Sequence, residues 1–248
     1  MPPTDYTIRY PYGLNGQDIV GVGITALVAR LDAVIKFARP SELPFIEREK
    51  CIYQRLGQHH DGILRFYGSL EDALILQYAC NGSIRQYFAK QAKPVPLPLQ
   101  LRWVQQITAS IAFIHSKQVL HGDISCNNVF LDKELNAKLG DFAGSSIDGQ
   151  APLICYETSH EHPKIKGISI RSEVFALGST FYEIMTGSKP YKELSDQEIC
   201  DAYIKGKFPN LAALAAFNDI IAKCWAQDYA SVDKLLEDVQ AEGMIFSW

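Results

Sequence analysis

Apolar positions in the first eighty residues fall in short blocks rather than long stripes. "ALVARL" (Ala26 to Leu31) and "AVIKF" (Ala33 to Phe37) meet around Asp32, a pattern that predicts two strands in a tight hairpin. From Pro44 the period changes. Ile46, Ile52, Tyr53 and Leu56 leave an apolar stripe at helical spacing, with Glu49 inside it, and predict one helix through "PFIEREKCIYQRL". Strand-like runs return at "ILRFYGSL" and "ALILQYA", with Gly68 and Glu71-Asp72 marking the turn between them. A small sheet with one helix is expected up to Ala79.

Beyond Asn81 the helical period dominates. "SIRQYFAKQ" is short, and the prolines of "PVPLP" (Pro94 to Pro98) predict a connection rather than more helix. Leu101, Val104, Ile107, Ile111 and Ile114 then recur at three- and four-residue steps, the buried face of a long helix. "VFLD" and "AKLGDF" read as two short strands. "EVFALGSTFYEIMTG", "FNDIIAKCWA" and "SVDKLLEDV" read as helices. The expected class is α+β, a single unit over 1–248 with a small sheet lobe at 1–79 and a larger, mainly helical lobe at 80–248.

Composition narrows the partners. Of 248 residues 47% are apolar and 21% charged, with a net charge of -4, which does not suit a binder of nucleic-acid backbone. Six cysteines without a C-x-x-C pair read as free thiols. The opening "MPPTDYTIRYPYGLNG" has no apolar leader region, and no run approaches a membrane span. The expectation is an intracellular protein, cytoplasmic or nuclear, that engages neither membrane nor nucleic acid.

Running into the first of these strands, "VGVGITALV" spaces Gly21, Gly23, Ala26 and Val28 so that bare backbone amides can approach phosphate oxygens. Taken alone, this pattern also fits an ordinary glycine-containing hairpin. A dinucleotide fingerprint would need a helix next, and no G-x-x-x-x-G-K-[ST] is present. A glycine turn between strands, followed by a strand lysine at Lys36, matches a kinase-type phosphate roof.

The chain resembles a eukaryotic-type protein kinase domain, with the landmarks in family order. "AVIK" resembles V-A-I-K, "HGDISCNN" (His121 to Asn128) resembles H-R-D-L-x-x-x-N, and "LGDFAG" resembles the D-F-G segment. The resemblance implies ATP and Mg2+ as cofactors and a protein substrate or regulatory protein partner. It implies that Lys36 holds phosphate oxygens, that Glu49 pairs with Lys36, and that Asp123 accepts or orients the acceptor proton. Asn128 and Asp141 would ligate metal. Leu76 would be the gatekeeper, with Gln77, Tyr78 and Ala79 as the hinge; Leu76, Tyr78 and Leu131 would frame the adenine. Tyr53, Phe66, His121 and Phe142 fall where the family stacks a column linking the lobes, so His121 reads as a packed histidine rather than a base. His59 and His60 read as helix-end or turn residues.

Several positions depart from that pattern. Gly122 replaces the Arg that reads an activation-segment phosphate, Ser125 replaces the Lys of serine/threonine kinases, and Asn127 is not the Arg of tyrosine kinases. D-F-G has become Asp141-Phe142-Ala143. The segment up to Glu161 is short and has no clear A-P-E, with Glu161 as the nearest anchoring Glu. Its late Arg partner is also missing, and losing both ends of a buried pair together is physically coherent. Glu173 stands for the usual Asp. The resemblance implies a protein kinase acting on Ser/Thr rather than Tyr. The departures keep open a pseudokinase scaffold, nucleotide-binding or nucleotide-free, and a kinase fold acting on a small molecule.

Overall fold

A computed structural model describes residues 14–58 and 60–245. His59, the last three residues and the first thirteen, which carry most of the opening "MPPTDYTIRYPYGLNG", lie outside the described residues. Strands β1 (Ile19–Val22) and β2 (Leu27–Ala29) form one antiparallel pair. β3 (Ala33–Phe37), β4 (Phe66–Leu70) and β5 (Ala73–Gln77) form a second antiparallel sheet in the order β3-β5-β4. The hairpin expected around Asp32 is therefore absent. Gly23 N–H donates to Ala26 O (2.8 Å), a turn so tight that β2 folds back on β1. Asp32 O accepts from Tyr78 N–H, which delivers the chain to β5 instead, where Val34 faces Leu76 and Lys36 faces Leu74.

Helix α1 (Leu43–Leu56) packs by the predicted stripe: Ile46, Glu49, Ile52, Tyr53 and Leu56 are buried, and Gly57 at φ +67° ends it. Helices α2 (Ile84–Lys90) and α3 (Leu97–Ser116) follow. The proline stretch does not wholly precede α3, because Pro98 sits in its first turn, where a missing N–H costs no intrahelical bond. Short antiparallel pairs then shape the loops: β6 (Val119–Leu120) with β9 (Ser146–Ile147), and β7 (Val129–Leu131) with β8 (Ala137–Leu139).

Helix α4 (Ile170–Thr186) is the centre of the larger part. A Ser169 capping box starts it, left-handed Gly187 stops it, and Val174 to Leu177, Phe181 and Ile184 are fully buried. Burial of each large side chain contributes about 1.5–3 kcal/mol. Around it lie α5 (Asp196–Ile204), α6 (Asn218–Ala226) and α7 (Val232–Ile245), with α7 packed on α3 and α6 on α4. Helix α5 is not among the helices expected from apolar spacing, although Ser195-x-x-Glu198 spells the capping box that starts it. The whole is an α+β, two-lobed, kinase-like fold.

Candidate active site

Strand β3, helix α1 and the turn after β8 bring three charges together. Lys36 Nζ lies 2.6 Å from Glu49 Oε2 and 2.7 Å from Asp141 Oδ1. Glu49 is fully buried, whereas the Asp141 side chain keeps 43% exposure. The two carboxylates share one cation and respond oppositely. Burial pushes Glu49 up and Lys36 offsets this only in part. At Asp141 burial acts the same way, but Lys36 outweighs it and the carboxyl lies below its ordinary value. Lys36 loses to burial and gains more from its two partners, so its ammonium is held above the usual lysine value. Glu49 Oε1 also accepts from Phe142 N–H (3.2 Å), which ties α1 to the Asp141 segment.

The loop between β6 and β7 supplies the second cluster. Asn128 Nδ2 donates to both the backbone oxygen and Oδ2 of Asp123, each at 2.8 Å. Burial, with Glu157 and Asp141 nearby, raises the Asp123 carboxyl against the opposing pull of His121 and Asn128. His121 accepts from Asp123 N–H at Nδ1 (3.3 Å), and its Nε2 meets Gly140 O (3.0 Å), so both ring nitrogens are engaged. Its ring lies 5.2 Å from Phe142, which is 5.2 Å from Tyr53, which stacks on Phe66 at 5.4 Å. The expected column is continuous.

Gly122 is where the backbone is forced. Its φ is +80°, and a Cβ there would come 2.3 Å from Ile168 Cδ1. Two successive amides, His121 N (3.1 Å) and Gly122 N (2.7 Å), donate to Glu173, whose carboxylate also meets His115 Nε2 (2.7 Å) and Tyr156 OH (3.1 Å). Glu173 thus holds the strained turn from inside α4. Ala143 is not among the residues with positive φ, so its Cβ costs no strain.

Leu76 is buried on β5 beside Lys36's strand, and Tyr78 is half exposed, lining a cleft of about 480 Å³ with Val20, Leu31 and Asp132. Neither Lys36 nor Asp141 lines that cleft. Leu131 is not brought to the cleft: it is fully buried in the core. Strand alternation turns its neighbour Phe130 the other way, with its ring against Gly140, one residue before Asp141. Counting along the strand could have found Phe130, since Val129 and Leu131 share the core-facing side. Gly21, Gly23, Ala26 and Val28 sit on the β1–β2 pair, which is not hydrogen-bonded to the sheet carrying Lys36.

Glu161 is in no ion pair among the described residues, and burial raises its carboxyl. Another cluster ties the same segment down. Arg85 bonds Glu183 on α4 through two nitrogens (2.7 and 2.9 Å) and Glu157 through a third. No spacing rule in the sequence links α2, this segment and α4, so nothing local marks these three residues as partners.

With that geometry in view, the model for the protein tyrosine and serine/threonine kinase family matches residues 36–234. The chain belongs to the protein kinase family. A probable serine/threonine-protein kinase of Dictyostelium discoideum is 33% identical over 193 residues, covering 73% of this chain and 37% of the relative. The mouse inactive serine/threonine-protein kinase PLK5 is 24% identical over 208 residues, covering 78% and 34%. The yeast serine/threonine-protein kinase GIN4 is 27% identical over 173 residues, covering 65% and 15%. This kinase domain therefore spans well under half the length of these relatives.

Proposed function

We propose that this kinase domain transfers the γ-phosphoryl group of ATP to a protein hydroxyl, serine or threonine rather than tyrosine, with Mg2+. The Lys36 bridge between Glu49 and Asp141 carries the reading. It needs helix α1 docked and the Asp141 segment turned inward at once. The donor set fits the metal: an ionised, half-exposed carboxylate at Asp141, and an Asn128 amide oxygen left over once its nitrogen is committed to Asp123. Bound Mg-ATP supplies the phosphoryl group and the neutralisation of charge developing on it.

Each residue then has a role. Lys36 binds phosphate oxygens and is kept charged by its partners. Asp123, held by Asn128 and raised by burial, orients the acceptor hydroxyl and takes its proton at the carboxylate. Leu76 and Tyr78 border the adenine, and Phe130 takes the place first given to Leu131. The glycine turn covers the phosphates when β1–β2 closes over Lys36. A protein substrate or regulatory protein is the partner. No helix among the described residues is long and apolar enough to cross a membrane. The six free cysteines suit a reducing compartment, cytosolic or nuclear.

A pseudokinase scaffold is the second reading, favoured by Ser125. It is buried, its hydroxyl accepts from Asn127 N–H, and it places no cation beside Asp123. Two measurements separate the readings. Saturating Mg-ATP at a hundredfold excess over Kd is worth about 2.7 kcal/mol and raises Tm by about 5–11 °C, lost in Lys36→Ala or Asp141→Ala. Transfer to generic Ser, Thr and Tyr substrates, with the product mapped to its residue, should fall about 10²–10⁴-fold in Asp123→Ala. Equal, negligible transfer by wild type and Asp123→Ala sinks the enzyme reading.

A further inference from the structure

The segment after Asp141 is held down by helix α1, and by nothing that requires modification. Arg48, the residue before Glu49, donates from one guanidinium nitrogen to Ser145 O (2.7 Å) and Ala151 O (3.2 Å). No carboxylate pairs with Arg48 among the described residues. Two turns along the same helix, Arg55 makes a two-pronged bond to Asp148 (2.8 and 2.7 Å) and a third to Lys117 O. Asp148 at φ +52° and Gly149 at φ +74° form the bend these contacts clamp. On the other side, β9 pairs with β6, and Leu153 N–H closes onto Gly144 O. Gly144 approaches Ile154 so closely that a Cβ would lie 2.1 Å from Ile154 Cγ2.

The serine hydroxyls after Asp141 are already engaged. Ser145 Oγ donates to His121 O (2.7 Å), Ser146 Oγ to Gln150 O (2.6 Å), and Ser159 Oγ meets His160 Nδ1 (3.0 Å). All three serines and Tyr156 are buried, and Thr158 is half-buried. Gly122 has no side chain to read a phosphate. A phosphate on Ser145 or Ser146 would have to break a bond that now holds the segment closed.

We propose that Arg48 and Arg55 are positioning residues that hold the 141–151 segment in its nucleotide-ready arrangement without phosphorylation. Arg48 acts on the site through its neighbour: pinning it fixes the turn of α1 that carries Glu49, and Glu49 in turn holds Lys36 and Phe142 N–H. The two arginines do the ordering that Gly122 cannot. The consequence for the site rests on the phosphoryl-transfer reading above; the ordering itself does not.

The test joins hydrogen–deuterium exchange of residues 144–154 to ATP titration, on the 248-residue chain treated with phosphatase and shown by intact mass to carry no phosphate. Wild type should protect the segment and bind Mg-ATP as tightly after treatment as before. Arg48→Met should speed exchange of the segment and weaken ATP about tenfold, the worth of one charged hydrogen bond, while exchange in α4 and α6 stays as in wild type. Arg48→Lys, which keeps a charge that can reach one carbonyl, should recover part of both losses, a recovery that mere packing would not give. Arg55→Met and Asp148→Asn should each loosen the bend at 147–149, and together no more than Arg55→Met alone, which also removes the bond to Lys117 O. Protection seen only in phosphorylated protein, or unchanged exchange in Arg48→Met, overturns the proposal. Wild type that is protected but binds no ATP overturns the proposed function and leaves the clamp standing.

Discussion

Gly122→Ala tests whether the departure at the catalytic loop is a defect or a fitted part. Two costs add. A left-handed backbone costs an L-residue about 1–2 kcal/mol, and Gly122 sits at φ +80°. The new Cβ would stand 2.3 Å from Ile168 Cδ1, the end of a flexible side chain, so Ile168 must leave its rotamer at about 0.5–1.5 kcal/mol. The sum is about 1.5–3.5 kcal/mol, which lowers Tm by about 3–14 °C in a domain of this size. Ile168→Ala in the same chain removes the second cost and leaves the first, so a double-mutant cycle should show a favourable coupling of about 1 kcal/mol. Thermal unfolding followed by circular dichroism, with urea midpoints as a check, reads both values. Gly122→Arg, which restores the family residue, should fall at least as far as Gly122→Ala. A Gly122→Ala protein within 1 °C of wild type, or a Gly122→Arg protein more stable than wild type, refutes the reasoning, since neither the dihedral nor Ile168 would then constrain this position.

Glu173→Ala leaves the His121 and Gly122 amides buried without an acceptor, at about 1–3 kcal/mol each. A total of about 4 kcal/mol should lower Tm by about 8–16 °C, and a drop under about 3 °C contradicts the anchoring role. His160 is fully buried, and burial pushes its imidazole down to about 4. Its folded value lies below its unfolded one, so its contribution is complete above about pH 6.5 and is lost as pH falls toward 4. Between pH 7 and 5 wild type should lose about 2 kcal/mol more than His160→Gln in urea titrations, and parallel pH profiles would count against this. Phe130→Ala should weaken ATP binding with little change in Tm, whereas Leu131→Ala should cost about 2–5 kcal/mol of stability. Isothermal titration beside thermal melts distinguishes them, and the reverse pattern would return Leu131 to the adenine.

The sequence by itself determined whatever depends on near neighbours. The helical stripe of α1, the long face of α3 and the strand carrying Lys36 follow from spacing over a few residues, whereas the loop carrying Asp123 and Asn128 reads as catalytic only through the order of the kinase-like motifs along the chain. The column of Tyr53, Phe66, His121 and Phe142 was legible only through the resemblance to the kinase family, since no spacing within the chain links its four members. Tertiary structure decided which strand pairs with which. β2 took β1 and β3 took β5, because a two-residue turn and one backbone bond from Asp32 to Tyr78 settle a choice the apolar pattern leaves equal. It decided which face of β7 meets the core, and with that face fixed the alternation along the strand turns Phe130 rather than Leu131 away from it. It also decided the anchors, Arg48 on Ser145 and Ala151, Arg85 on Glu157 and Glu183, and Glu173 under Gly122, whose partners lie some fifty to a hundred residues apart in the chain. A charged side chain in a sequence does not say which distant carbonyl or carboxylate it will meet; only the packed core, by setting α1 and α4 in place, brings them within a hydrogen bond.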